Sequence, residues 1–577
     1  MGIFSCLKSC EEVAEVPKKQ TAPAQAALSS SELLINYQDE FVDINIRSAP
    51  LYGPVFNVTK YADELFEFSA AYAKSKMERM SKLKDNIQNL DQSTLSPTEI
   101  ADLEFLKDGL VSMMLSPSTK NKIRETCYEF EIPTSHLGLL GQLVMAFQSY
   151  QAFETIEDIN NYKTRLSKIA EKFDEIILAY RVGIEKRITL PKESIDVMIT
   201  QCDAAITEDY ANSPYNMNKE KILQVTGDAQ FLIETIKDKV IPSFKKLKSF
   251  LQDEYIHHAR SSAGIYDLPD SNRVYTDLIY IYTSVHYTAE EIHQMGLKEV
   301  ERIWKLMVKT QEQIFPGSSV EEFRISLKDK SKYPSLYFEK NEDIIQSYKD
   351  LLTEIDAKTP KYFRTFPKFR QCQIEAVPKA MEKGTPLAFY RPGTAQKSGI
   401  FMANCLLHKE SPAIMKTAIT LHEVSLTLED ESKHVIKKMV KVTAFVEGYG
   451  LYCEYLGEDG RLELEMFRAL RLVIDTGLHA KGWTVEKSVE FMMKYVTMTE
   501  AEILNDVKRY CIMPAQAVTY KIGEIKIKEI RKFAEEQLGD KFDIIEFHET
   551  LLSFGNMSLN GLEKLMKKWA ADSKEKQ

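Results

Sequence analysis

From about Ser31 onward the apolar residues recur at the three- and four-residue spacing of amphipathic helices. Between Asp158 and Ile184 they fall at Ile159, Tyr162, Leu166, Ile169, Phe173, Ile176 and Leu178, which predicts one long helix with these side chains on its inner face. Thr288 with Glu291 three residues later predicts a capping box. The helix it opens runs through Ile292, Met295, Val300 and Ile303 toward Met307. Ser411-Pro412 predicts a further start, with Ser at the cap and Pro in the first turn. Val435, Met439, Val442, Val446, Tyr449 and Cys453 predict a helix on which Glu447 and Glu454, seven residues apart, share a face. Extended patterns are few. Pro386–Tyr390 and Gly399–Asn404, joined across Arg391-Pro392-Gly393, predict a small β-hairpin. No 20–50-residue repeat marks a solenoid. The expected fold is all-α apart from that hairpin.

At 577 residues the chain exceeds the usual domain of ~100–200. We expect a flexible tail over 1–30, an N-terminal helical lobe over 31–250 and a second helical lobe over 251–577, with a cleft between the lobes. Hydrophobic residues are 44% and charged residues 28%, enough to bury a large core. A net charge of −10 argues against nucleic acid as a partner, which requires a basic face. No apolar run is long enough to predict a transmembrane helix. The eight cysteines show no Cys-x-x-Cys pair and suit free thiols in a reducing compartment, so a cytoplasmic location is expected. Met1-Gly2-Ile3-Phe4-Ser5-Cys6 lacks a secretory signal's apolar core and partly matches an acylation site. Gly2 would accept myristate, although Cys6 stands where Ser or Thr is preferred. Cys6 and Cys10 would accept palmitate as the second anchor that stable membrane attachment needs. The alternative is an unmodified tail.

The candidate chemistry begins at His422-Glu423. Zinc hydrolases of the His-Glu-x-x-His type set two histidines one helical turn apart, with the intervening Glu polarising the metal-bound water. A later helix supplies a further ligand, often Glu, and Glu447 is placed to do so. Here the position four after His422 is Leu426, which cannot ligate. Glu429 lies ~10.5 Å further along an ideal helix, too far to share an ion with His422 unless the helix breaks. Periodicity alone favours reading Glu447 and Glu454 as carboxylates that are solvated or paired with Arg or Lys, over a face turned toward His422. His257, His258 and His408 read as ordinary surface or loop residues.

Several blocks carry a resemblance to a known family. They are Ala259–Pro269 (ARSSAGIYDLP), Tyr287–Val300 (YTAEEIHQMGLKEV), Arg471–His479 (RLVIDTGLH), Tyr520–Glu524 (YKIGE) and Phe542–His548 (FDIIEFH). Over roughly residues 35–570 the chain resembles the peptidase-like family called domain of unknown function 885. That family is itself similar to helical zinc metallopeptidases such as angiotensin-converting enzyme and carboxypeptidase Taq. The resemblance implies a two-lobed fold with a central cleft and a metallopeptidase-like second lobe. It implies His422 and Glu447 as zinc ligands and Glu423 as general base. His479 and Tyr520 would hold substrate or stabilise an oxyanion; the alternative for His479 is a hydrogen-bonded residue at a helix end.

The family pattern is His-Glu-x-x-Pro-Gly-His-His and later Glu-Gly-Trp-Ala-x-Tyr. This chain has Leu426-Thr427-Leu428-Glu429 in place of Pro-Gly-His-His, and Tyr449 in place of Trp. It keeps Gly448 and Tyr452, and has Pro514-Ala515-Gln516 where the family has Pro-Gly-Gln. The stretches from Glu423 to Glu447 and after Gly457 are also shorter, whether by true deletion or by codons missing from the gene model. The expectation is a catalytically impaired or inactive relative whose cleft binds a peptide or protein partner, with zinc weakly held or lost. The alternative is an active zinc peptidase with an altered ligand set.

Overall fold

A computed structural model of the protein describes residues 28–575 apart from 57, 67–69, 116–142, 145–146, 148–149, 367–371, 380–386, 392–397, 411–433, 435, 440–441 and 457–460. The helices used below are α1 (Ser30–Ser48), α2 (Ala70–Gln88), α3 (Pro97–Leu115), α4 (Ile156–Lys186), α5 (Ile241–Asp253), α6 (Ser271–Thr283), α7 (Ala289–Ile314), α8 (Thr443–Leu456), α9 (Arg461–Ala480), α10 (Glu500–Ile512), α11 (Thr519–Leu538), α12 (Ile544–Ser553) and α13 (Leu559–Glu575). The fold is mainly helical. No helix among the described residues is long and apolar enough to cross a membrane.

The helix starts follow from local chemistry. Thr288 caps α7 as expected: the Glu291 N–H donates to Thr288 Oγ1 at 3.2 Å, and the Thr288 N–H donates back to Glu291 Oε2 at 2.7 Å. Thr155 and Asp158 do the same for α4. In α4 the buried stripe runs Ile159, Tyr162, Leu166, Ile169, Phe173, Ile176, Ile177 and Tyr180. Leu178 corrects the expected stripe, because it is 64% exposed. It falls one residue past Ile177 and is thereby rotated ~100° off the inner face. The expected start at Ser411-Pro412 lies outside the described residues.

The expected hairpin forms as β2 (Ala388–Arg391) against β3 (Ile400–Ala403), antiparallel. The expectation was incomplete, because β1 (Gln373–Ala376) adds in parallel to the other edge of β3, giving the order β1-β3-β2. Only Ile374 of β1 is buried, so its four residues carry little apolar signal. Behind the sheet, Phe401, Ile344 and Tyr348 form a small core. His408 joins it with its Nε2 2.9 Å from Tyr348 Oη. At 3% exposure and within a short helix, it is not the ordinary surface or loop residue expected.

One apolar core is built by residues from Leu51 to Tyr255, including α4 and α5. Two others hold α6–α13 together. Helices α1–α3 form a fourth, into which Ile436 packs.

Two features fix how the later helices cross. Where α8 meets α11, a Cβ on Gly448 would run into Gly523 Cα, and one on Gly523 into the Ala444 carbonyl. The backbones therefore touch, and only glycine fits at either position. The second feature is a buried charge cluster. Lys521 of α11 is 1% exposed at its side chain. Its Nζ lies 2.8 Å from Glu524, 2.9 Å from Glu465 of α9 and 3.1 Å from Glu299 of α7. Arg302 pairs with Glu299 and Glu465, and Lys528 pairs with Glu524, so three cations meet three carboxylates. Burial alone would raise the Glu465 pKa, but the attraction of Lys521 and Arg302 outweighs it and holds the group at about 2.

Gly523→Ala is expected to lower stability by about 1–3 kcal/mol, the usual range for overpacking a tight contact, as read from chemical denaturation. An unchanged unfolding midpoint would show that the helices lie further apart. Lys521→Met leaves Glu465, Glu524 and Glu299 short of their shared cation, and breaking such a cluster costs about 3–5 kcal/mol. The Glu465 contribution is present above its unfolded pKa near 4.5 and is lost as pH falls from there toward 2. Acid titration of stability should therefore be shallower over that window in Lys521→Met than in the parent.

Candidate functional site

Of the residues that the sequence singles out, His422 and Glu423 lie outside the described residues, as do Gly2, Cys6 and Cys10. Glu447, His479 and Tyr520 are described, and the helix crossing brings the first and last of these together.

Glu447 precedes Gly448 in the first turns of α8, and Tyr520 opens α11 three residues before Gly523. The glycine contact therefore sets both side chains at the same junction. Burial raises the Tyr520 pKa, and the nearby Glu447 carboxylate raises it further against the pull of Arg471, so the phenol keeps its proton at neutral pH. Two guanidiniums of α9 lie over the Tyr520 ring, Arg471 at 4.5 Å and Arg468 at 5.5 Å from its centroid. Arg471 is buried, also stacks on Phe467 at 4.6 Å, and donates from Nε to Tyr510 Oη at 3.0 Å. The site thus combines a carboxylate, a phenol and two cations from three helices. The sequence marks the arginine pair by a weak signal: two cations at i,i+3 inside the apolar run Met466-Phe467-Arg468-Ala469-Leu470-Arg471-Leu472.

His479 sits elsewhere. It is buried in the last turn of α9, and both ring nitrogens are taken by backbone groups. The Ile265 N–H donates to Nδ1 at 3.3 Å, and Nε2 donates to the Tyr510 carbonyl at 3.0 Å. Burial holds its pKa near 3, so the ring is neutral, and its one proton is on Nε2. It ties the loop before α6 to α10, which matches the structural alternative for this residue.

Asp475, one turn earlier, accepts from Tyr275 Oη at 2.5 Å and from the Ala515 N–H at 3.0 Å. Burial pushes its pKa up to about 7, against the pull of those two donors. Ala515 has φ +68°, the left-handed region that favours glycine. The Ala in place of the family's Gly is therefore held in a strained conformation by the Asp475 hydrogen bond and by complete burial. Tyr452, also on α8, points away toward α12: its Oη is 2.8 Å from His548 Nε2 and accepts from Arg531 at 3.3 Å. Glu454, seven residues after Glu447, is buried rather than solvated.

Of the two expected zinc ligands only Glu447 is among the described residues, because His422 lies outside them. Among them no group of three or more His, Cys, Asp and Glu side chains is arranged to hold an ion. Among the described residues, the guanidiniums of Arg471 and Arg468 lie over the Tyr520 ring beside Glu447, and their charge disfavours a divalent cation there.

Comparison with known proteins agrees with the fold. A solved structure from Colwellia psychrerythraea, described as a "putative lipoprotein", superposes with a TM-score of 0.84 at 22% identity, covering 94% of this chain and 100% of that one. A second, from Shewanella oneidensis and of unknown function, gives 0.72 at 16% identity with the same coverage. No curated protein matches the chain. The family model described as "Bacterial protein of unknown function (DUF885)" matches residues 51–566, and the chain belongs to that family.

Proposed function

We propose that the protein is a catalytically impaired or inactive relative of a zinc metallopeptidase, with a two-lobed architecture whose cleft binds a peptide or protein partner. The observation that carries the reading is Leu426. A hydrocarbon side chain has no lone pair to offer where the zinc-hydrolase pattern needs its second imidazole. Losing one of three protein ligands leaves a histidine and a carboxylate, too few to hold zinc against competing chelators. The surroundings of Glu447 support the same reading, since Arg471, Arg468 and Tyr520 suit the polar atoms of a bound ligand better than a second cation. Tyr520 keeps a proton to donate.

The test is incubation of the full chain with a mixed peptide library, with and without added zinc, read by mass spectrometry. We expect no cleavage above that of Glu423→Gln, together with retention of a subset of peptides on the immobilised protein. Chelator-sensitive cleavage that Glu423→Gln abolishes would establish instead the active peptidase with an altered ligand set.

We further propose attachment of this otherwise cytoplasmic protein to a membrane through acylation of Gly2, reinforced at Cys6 and Cys10. The motif at Met1–Cys6 supports this, and so does the lipoprotein description carried by the structure from Colwellia psychrerythraea. In cells that contain an N-myristoyltransferase, Gly2→Ala is expected to move the protein from the membrane to the soluble fraction. Unchanged partitioning would rule the acylation out.

A further inference from the structure

The arginine pair on α9 has a property that stability alone does not explain. Arg468 Nε and Arg471 Nη1 are shielded from solvent and have no hydrogen-bond partner among the described residues. No ion pair of either guanidinium with another described residue is seen, although the Glu454 carboxylate favours the charged form of Arg468. Glu447 supplies one carboxylate at this junction against the two guanidiniums. Arg509 pairs with Asp506 and donates to Gln516, while Asp475 accepts from Tyr275 and Ala515.

Two like charges three residues apart on one helix oppose each other, and Arg471 disfavours the charged form of Arg468. Such a pair is tolerated when something negative completes it. Guanidinium is the side chain suited to that task, because its planar fork matches the oxygens of a carboxylate or a phosphate. Phe467 and Tyr520 stack on both forks and hold them in place. Arg471 is buried, whereas Arg468, Glu447 and Tyr520 are half-buried, so an anion would enter on the side of the Glu447–Tyr520 junction.

The geometry points to an oxyanion-binding site between Arg468 and Arg471, which takes a carboxylate or phosphate group of the bound ligand. This deepens the reading of the cleft as a peptide-binding site and rests on it only for the source of the oxyanion. The site fixes one end of the ligand through charge and leaves the Tyr520 hydroxyl beside it.

Titration calorimetry on the full chain separates the sources, with three probes: inorganic phosphate, a tetra-alanine peptide with a free C-terminus, and the same peptide as its C-terminal amide. We expect the free acid to bind at least tenfold more tightly than the amide, and Arg468→Gln to erase that preference without moving the unfolding midpoint. Arg471→Lys, which keeps the charge but loses the fork, is expected to weaken binding by a similar factor. Should Arg471→Lys fail to fold, Arg468→Gln, at the less buried of the two positions, still decides the question. Phosphate binding that Arg468→Gln removes, with neither peptide bound, would uphold the anion site and overturn the peptide reading. Equal binding of acid and amide, with no phosphate bound, would overturn the anion site and leave the peptide cleft standing. Absence of binding by all three probes would overturn the anion site as well.

Discussion

Two helices cross with their backbones in contact only where neither carries a side chain at the crossing, and Gly448 and Gly523 supply that point. The consequences run outward from it. Glu447 stands beside one glycine, and Tyr520 lies three residues before the other, so the contact fixes a carboxylate and a phenol in one junction. One residue beyond Tyr520, Lys521 turns into the interior and gathers carboxylates from α7, α9 and α11. The same helix thus presents a polar residue to the site and a buried cation to the core. A shift of either helix by even one methyl group would disturb both.

That cluster has a particular use. A buried charge cluster contributes little net stability compared with apolar packing, but it admits few alternative arrangements. With three cations against three carboxylates, sliding α11 along α9 by a turn would leave charges buried and unpaired. The cluster therefore sets the register in which Arg468 and Arg471 lie over the Tyr520 ring. His479 and Asp475 complete the frame. Both ring nitrogens of His479 and Oδ1 of Asp475 bond backbone or tyrosine partners that hold α6, α10 and the turn at Ala515 against α9.

Much of this was legible in the sequence, for identifiable reasons. The Thr288–Glu291 capping box is a local interaction, so four residues suffice to read it. The β2–β3 hairpin follows from short-range patterning, whereas the helix bearing Glu447 starts only at Thr443, with Val442 outside it, and not at Val435 as the stripe predicts. What was missed depends on contacts distant in sequence. β1 pairs with a strand well downstream of it and buries a single side chain, so nothing local marks it. His408 is buried because Tyr348 and the sheet enclose it, and Leu178 is exposed because the helix phase carries it past the stripe. The importance of Gly523 and Arg468 appears only when α8, α9 and α11 are brought together. The strain at Ala515 became readable once its positive φ was known, since the family's glycine at that position had no evident reason before.

We propose that the junction at Glu447 is a carboxylate–phenol–arginine site for a polar ligand rather than a metal centre. Zinc content of the full-length protein, measured by mass spectrometry after exhaustive dialysis against a weak chelator, tests this most directly. The account predicts well under one zinc per chain, with the same value in Glu447→Gln. One zinc per chain that survives dialysis and disappears in Glu447→Gln would contradict it.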